Sequence, residues 1–242
     1  MSGRERAFNL PPVVVWSAAV LLVIHVVRGF PSPEIDFSLL LTFAFIPARY
    51  GEAGAILPGG VAAQLWTPVT YALLHADALH LAVNLFWMAG FGSAIARRFR
   101  TSRFLLLCAL GAVAGAAAQY VADPADEALM IGASAAVSGM MAATARFAFA
   151  PGGPLAGGGT LPAAYAVPAL GLAATFLNAR AALFLGVWMG VNLLFGFEGA
   201  LLPGVEGAIA WQAHIGGFLA GLFGFALLDP ARTGTREVDL RD

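Results

Sequence analysis

The sequence predicts an all-α polytopic membrane protein, a bundle of six transmembrane helices with a long outer loop between the first and the second. Three observations lead there. Of 242 residues, 60% are hydrophobic and only 11% charged, against roughly 25% charged in an ordinary soluble domain. The charges gather between charge-free windows at 7–27, 78–96, 104–122, 128–145, 147–179, 181–197 and 207–228, and a spanning helix needs about 20 residues with little charge. Six spans also put nearly all the arginines on one side of a bilayer, the pattern of cytoplasmic loops.

The first helix, 12–27, follows Arg4 and Arg6. A charged start before an apolar run also describes a signal peptide, but no small-residue cleavage pattern follows, so the segment reads as an uncleaved helix behind a cytoplasmic N-terminus, 1–11. The outer loop, 28–76, holds an apolar stretch from Phe37 to Ile46, and Trp66, the composition of segments that settle at a membrane interface. The second helix, 77–96, opens on Asp77, whose carboxylate can cap a first turn ahead of an apolar run. The third, 103–122, and the fourth, 133–150, flank an acidic outer loop with Asp123, Asp126 and Glu127.

The window 147–179 contains the breaker-rich PGGPLAGGG and carries Pro162 and Pro168. As a seventh span it would put Arg180 and the C-terminal Arg232, Arg236 and Arg241 outside. With 151–179 left as a cytoplasmic or interfacial loop, every arginine but Arg28 and Arg49 stays inside. The fifth and sixth helices are then 181–197 and 210–228, before a cytoplasmic tail, 229–242. Small residues four apart at Gly111 and Gly115, Gly186 and Gly190, and Gly217 and Gly221 predict close helix packing.

Composition excludes other classes. All 13 bases are arginine and 14 acids offset them, so no basic face exists to neutralise phosphates, and nucleic acid is excluded as a partner. Cys108, the single cysteine, can form neither an internal disulfide nor a cysteine-based metal site. Arginine-only base usage suggests a GC-rich bacterial genome, and with it the inner membrane.

Polar groups inside a bilayer are costly, so each asks for a partner, a water-filled cavity or a function. In HADALHLAVN, His80 lies in the first turn of the second helix and Asn84 one turn on, on the same face, while His75 precedes the helix. In GASAAVSG, Gly132 and Ala133 lead to Ser134 at a helix start. A serine there serves either as a cap or as a nucleophile whose oxyanion the helix N-terminus would stabilise. Ser138, one turn deeper, is its rival. In WQAHIGGFLAG, His214 sits about a turn inside the sixth helix among Gly216, Gly217 and Gly221; it either bonds a neighbouring helix or acts as general base for a serine.

Helices two, four and six all begin on the outer face, so His80, Asn84, Ser134 and His214 share a depth, roughly 3–10 Å below the surface at about 1.5 Å per residue. A nucleophile, a base and two side-chain donors form a hydrolytic set that water reaches from outside. A metal site fails on spacing, since His75 and His80 straddle a helix start and no HExxH is present; the set calls for no cofactor. Asp77 could orient His214, but its capping position occupies it, which leaves a Ser-His dyad without a carboxylate.

These residues resemble the rhomboid family of intramembrane serine proteases, whose pattern is HxxxxHxxxN in helix two, GxSG at the start of helix four and AHxxG in helix six. The likeness runs from about Trp66 to Leu228, in the family's order. It implies Ser134 as nucleophile, His214 as general base, His80 and Asn84 as oxyanion-hole donors beside the Ser134 amide, and His75 as the family's preceding structural histidine. The Trp-led segment WTPVTYALLH resembles the family's half-embedded outer loop, and helix five with the loop 198–209 would form its movable gate. The substrates implied are membrane proteins with a transmembrane helix. Two positions depart from the pattern. Ala135 replaces the second Gly of GxSG, and Ser138 stands where the family is often aromatic, so that His214 is held less firmly or is hydrogen-bonded by Ser138. The other classes weighed are a catalytically silent binder of the same fold and a transporter, for which the internal repeats are missing.

Overall fold

The computed structural model describes residues 10–201 and 210–230. Arg4, Arg6, Glu206, the three C-terminal arginines and most of the segments 198–209 and 229–242 lie outside the described residues. Among those described the chain is helical, with one antiparallel β-bridge between Phe45 and Met130.

Helix α1 (Pro12–Arg28) starts on a proline, whose fixed φ and missing N–H suit a first turn. At its other end Arg28 grips Asp36 of α2 (Pro33–Phe43) through two bonds of 2.8 and 2.9 Å and donates to the His75 carbonyl at 2.9 Å. The chain then folds into tight turns at Pro47–Tyr50, Glu52–Ala55 and Val61–Leu65, followed by the one-turn α3 (Thr67–Thr70). These turns wind around Arg49, wholly buried, which donates to the carbonyls of Leu41 and Pro58 and so satisfies backbone groups that no ladder reaches. Trp66 donates to the Thr42 carbonyl at 3.0 Å, fastening the far side of the loop to the end of α2.

Helix α4 (Ala78–Trp87), a π-turn at Met88–Gly92 and α5 (Ser93–Arg98) form one continuous helix over 78–98. After it come α6 (Thr101–Ala122), α7 (Ser134–Ala148), the short α8 (Leu172–Leu177), α9 (Ala179–Leu201) and α10 (Trp211–Leu228). Bonds at the helix ends give their directions. Arg98, closing α5, forms a buried pair with Asp229 just beyond α10 at 2.8 Å and donates to the Tyr165 and Val167 carbonyls. Arg146, in the last turn of α7, donates to the carbonyls of Leu222 and Leu170, and Asn178, preceding α9, donates to that of Phe149. Thus α5, α7 and α10 end where α6 and α9 begin. The starts of α4, α7 and α10 share the opposite end with the close of α1.

Helix α7 is the centre of the bundle. Every residue from Ala135 to Ala148 is buried, with α6 and α10 packed along it, and small side chains let those backbones close in. A Cβ on Gly217 would land on the Ala135 carbonyl, and one on Gly221 on the Gly139 carbonyl. Gly186 and Gly190 of α9 differ: among the described residues nothing lies within 4 Å of a Cβ built on either. The same spacing marks no contact there, because that face of α9 is turned outward. The molecule's exterior is apolar, with Trp16 at 72%, Val121 at 79% and Leu227 at 87% of full exposure, the inverse of a water-soluble surface. Among the described residues three helices, 78–98, 101–122 and 211–228, are long and apolar enough to cross a membrane.

Candidate active site

Ser134 opens α7, and the chain reaches it through Gly132 at φ +120°, a backbone region that favours glycine. The approach is pinned from one side by the loop before α4. Met130 and Phe45 exchange bonds of 2.9 and 3.1 Å, and the Gly132 N–H donates to the Tyr71 carbonyl at 3.0 Å. The Ala133 N–H points at His75 Nε2 at 3.4 Å. Tyr71 is anchored in turn, its hydroxyl donating to the Ala112 carbonyl of α6 at 2.9 Å. A Cβ on Gly132 would stand 2.6 Å from His80 Nε2, so the missing side chain is what lets the His80 ring lie beside Ser134.

His75 is wholly buried and meets His80 edge to face, with ring centroids 5.1 Å apart. Burial pushes its pKa down to about 4, and His80 and His25 act in the same direction, so at neutral pH it is uncharged and free to accept from Ala133. Asp77 caps α4, its carboxylate accepting from the His80 N–H at 2.8 Å. That bond holds the carboxyl below the usual carboxylate range and commits it to the helix start. Asn84, buried one turn deeper, donates through Nδ2 to the His80 carbonyl at 3.0 Å.

From α10, His214 Nε2 lies 2.7 Å from Ser134 Oγ. Its other ring nitrogen, Nδ1, lies 2.6 Å from Oδ1 of Asn192 on α9. Sequence reasoning passed over Asn192. The signal was a lone amide in the charge-free run 181–197, where a polar side chain demands a partner. Ser138 does not take that place. Its hydroxyl donates to the Ser134 carbonyl at 2.8 Å, the local back-bond that a serine makes inside a helix. Ala135, the other departure, is buried among Phe45, Tyr71, Ala112 and Met130. It faces Gly115, where a Cβ would come within 2.6 Å of the Ala135 methyl. The extra methyl is housed because α6 has none opposite it.

The arrangement is thus a hydroxyl on an imidazole at a helix N-terminus, with a second imidazole and a primary amide on the neighbouring helix. Ser134, His80 and His214 are each partly exposed. Among the described residues no three His, Cys, Asp or Glu side chains converge as metal ligands.

Residues 62–230 match the family model of the Rhomboid domain. Among curated proteins the chain is similar to the "Rhomboid-like protease 3" of Toxoplasma gondii, 28% identical over 132 residues, which cover 53% of this chain and 45% of that protein. The match therefore spans about half the length of that relative. With the apolar helices, the family match makes this an integral membrane protein.

Proposed function

The chain belongs to the rhomboid family, and on that footing we propose that it is an intramembrane serine endopeptidase acting through Ser134 and His214. The observation that carries the reading is the 2.7 Å contact between Ser134 Oγ and His214 Nε2. A neutral imidazole at that distance can take the hydroxyl proton as the oxygen attacks a peptide carbonyl. The new C–O bond pushes the carbonyl electrons onto oxygen, where the Ser134 amide at the start of α7, His80 and Asn84 would donate to it. Collapse breaks the C–N bond, and His214 passes its proton to the leaving amine. Water, deprotonated by the same imidazole, then releases the acyl group and restores Ser134.

The substrates in this reading are membrane proteins whose transmembrane helix is broken near its outer end, since a hydrogen-bonded helix offers no free carbonyl to a nucleophile. Six spans cross the bilayer, α1, α4 with α5, α6, α7, α9 and α10, with both termini cytoplasmic and the site open to the outer face of a bacterial inner membrane.

The test is labelling of the detergent-solubilised protein with a fluorophosphonate probe. Wild type should react, and Ser134→Ala and His214→Ala should not. If folded wild-type protein stays unlabelled, the protein is a non-catalytic membrane binder. Labelling that survives Ser134→Ala and is lost in Ser138→Ala would move the nucleophile one turn along α7.

A further inference from the structure

A dyad has no third group to fix the base, yet His214 has a partner on each ring nitrogen. We propose that Asn192 is a positioning residue that holds His214 in its Nδ1–H tautomer, so that Ser134 is activated only while α9 is packed against α10. The inference rests on the Ser134–His214 reading of the site and extends it.

The amide's orientation is set by its own hydrogen bonds. Asn192 Nδ2 donates to the Trp188 carbonyl one turn back, at 2.8 Å. This leaves Oδ1 as the atom facing His214 Nδ1, at 2.6 Å. A contact that short needs a proton between the two atoms, and a carboxamide oxygen carries none. The proton is therefore on Nδ1, and Nε2 presents its lone pair to the Ser134 hydroxyl 2.7 Å away. During attack the serine proton moves to Nε2 while the Nδ1 proton stays in place. Asn192 receives none, but its bond strengthens as the ring becomes an imidazolium.

The two helices are registered one turn away, where Trp188 stacks on Phe218 with centroids 4.8 Å apart and planes 11° from parallel. His214 to Phe218 and Trp188 to Asn192 are both steps of four residues. The stack and the hydrogen bond are therefore successive rungs between antiparallel helices. Ser138, which could have braced the ring, is turned to the Ser134 carbonyl. Displacing α9 therefore unseats the base as well as moving a helix.

The experiment is ¹⁵N NMR of the full chain with labelled histidine, which holds only four such residues, with the His214 signal assigned by its loss in His214→Gln. Wild type should show His214 as the Nδ1–H tautomer. Asn192→Leu, of similar size but with no acceptor, should lose it and react with the fluorophosphonate about 10²-fold more slowly, the scale of loss when a catalytic group is misplaced, whereas Asn192→Asp, which keeps an acceptor, should regain both. An Nε2–H tautomer in wild type overturns the proposal without any variant, and so does an unchanged tautomer in folded Asn192→Leu. A wild type that shows the Nδ1–H tautomer but never labels would sink the protease reading while supporting the role of Asn192 in orienting the ring.

Discussion

At the scale of single residues, the site depends on groups that would change partners during reaction. Asn84 Nδ2 gives one hydrogen to the His80 carbonyl, which fixes the amide and leaves its second hydrogen for a developing oxyanion. Replacing Asn84 with alanine should therefore lower cleavage of a membrane substrate by about 10²–10³-fold, the usual cost of one such donor. Fluorophosphonate labelling should fall with it, because the phosphonyl oxygen sits where the oxyanion would. Equal rates in Asn84→Ala and wild type would remove Asn84 from the hole. Asp77, His80, Asn84, Ser134 and His214 were legible because each stands in a short local pattern: a cap before an apolar run, a four-residue step, a glycine before a helix start. Asn192 was not. Its partner is 22 residues away on another helix, and nothing beside it in the chain announces a role. Only the cost of an amide among apolar neighbours pointed to it, and that cost names no partner.

At the scale of elements, composition tells how closely helices approach but not which faces meet. Helix α7 is alanine-rich because it is enclosed on all sides, and a helix in that position shows little amphipathic pattern to read. The paired glycines of α9 and α10 look alike in sequence, yet a Cβ would strike the Gly139 carbonyl at Gly221 and open space at Gly190. Gly221→Ala should therefore destabilise the protein by about 1–3 kcal/mol through overpacking, measured as a lower thermal unfolding midpoint in detergent. Gly190→Ala should be neutral or raise the midpoint, since alanine is favoured over glycine inside a helix by about 1 kcal/mol. Equal losses in both variants would mean that α9 is pressed against a neighbour along that face. The turns between α2 and α3 were illegible for a related reason. Arg49 organises them by donating to backbone carbonyls, and carbonyls carry no side-chain signature.

At the scale of the whole molecule, the bundle has two chemically distinct ends. Arg98, Arg146 and Asp229 are bonded at one, and the same end carries Arg100 and Arg103 at the start of α6. The other holds Ser134, the cap at Asp77 and the acidic turn with Asp123, Asp126 and Glu127. Since arginine-rich segments stay cytoplasmic, the site end should face outward. Helix α7 has 15 residues, about 22 Å of rise against about 30 Å of hydrocarbon. With its arginine at the inner boundary, Ser134 would lie below the outer one, and water would enter from that side. Cys108 is the only cysteine, so Cys108→Ser gives a clean background for testing this orientation. Ala125→Cys, exposed in the acidic turn, should react with a membrane-impermeant maleimide in intact cells, and Ser102→Cys, exposed at the start of α6, only after lysis. The reverse pattern would turn the molecule over and put the serine on the cytoplasmic side. Labelling of both in intact cells would mean that the arginine end does not lie across the bilayer from the site.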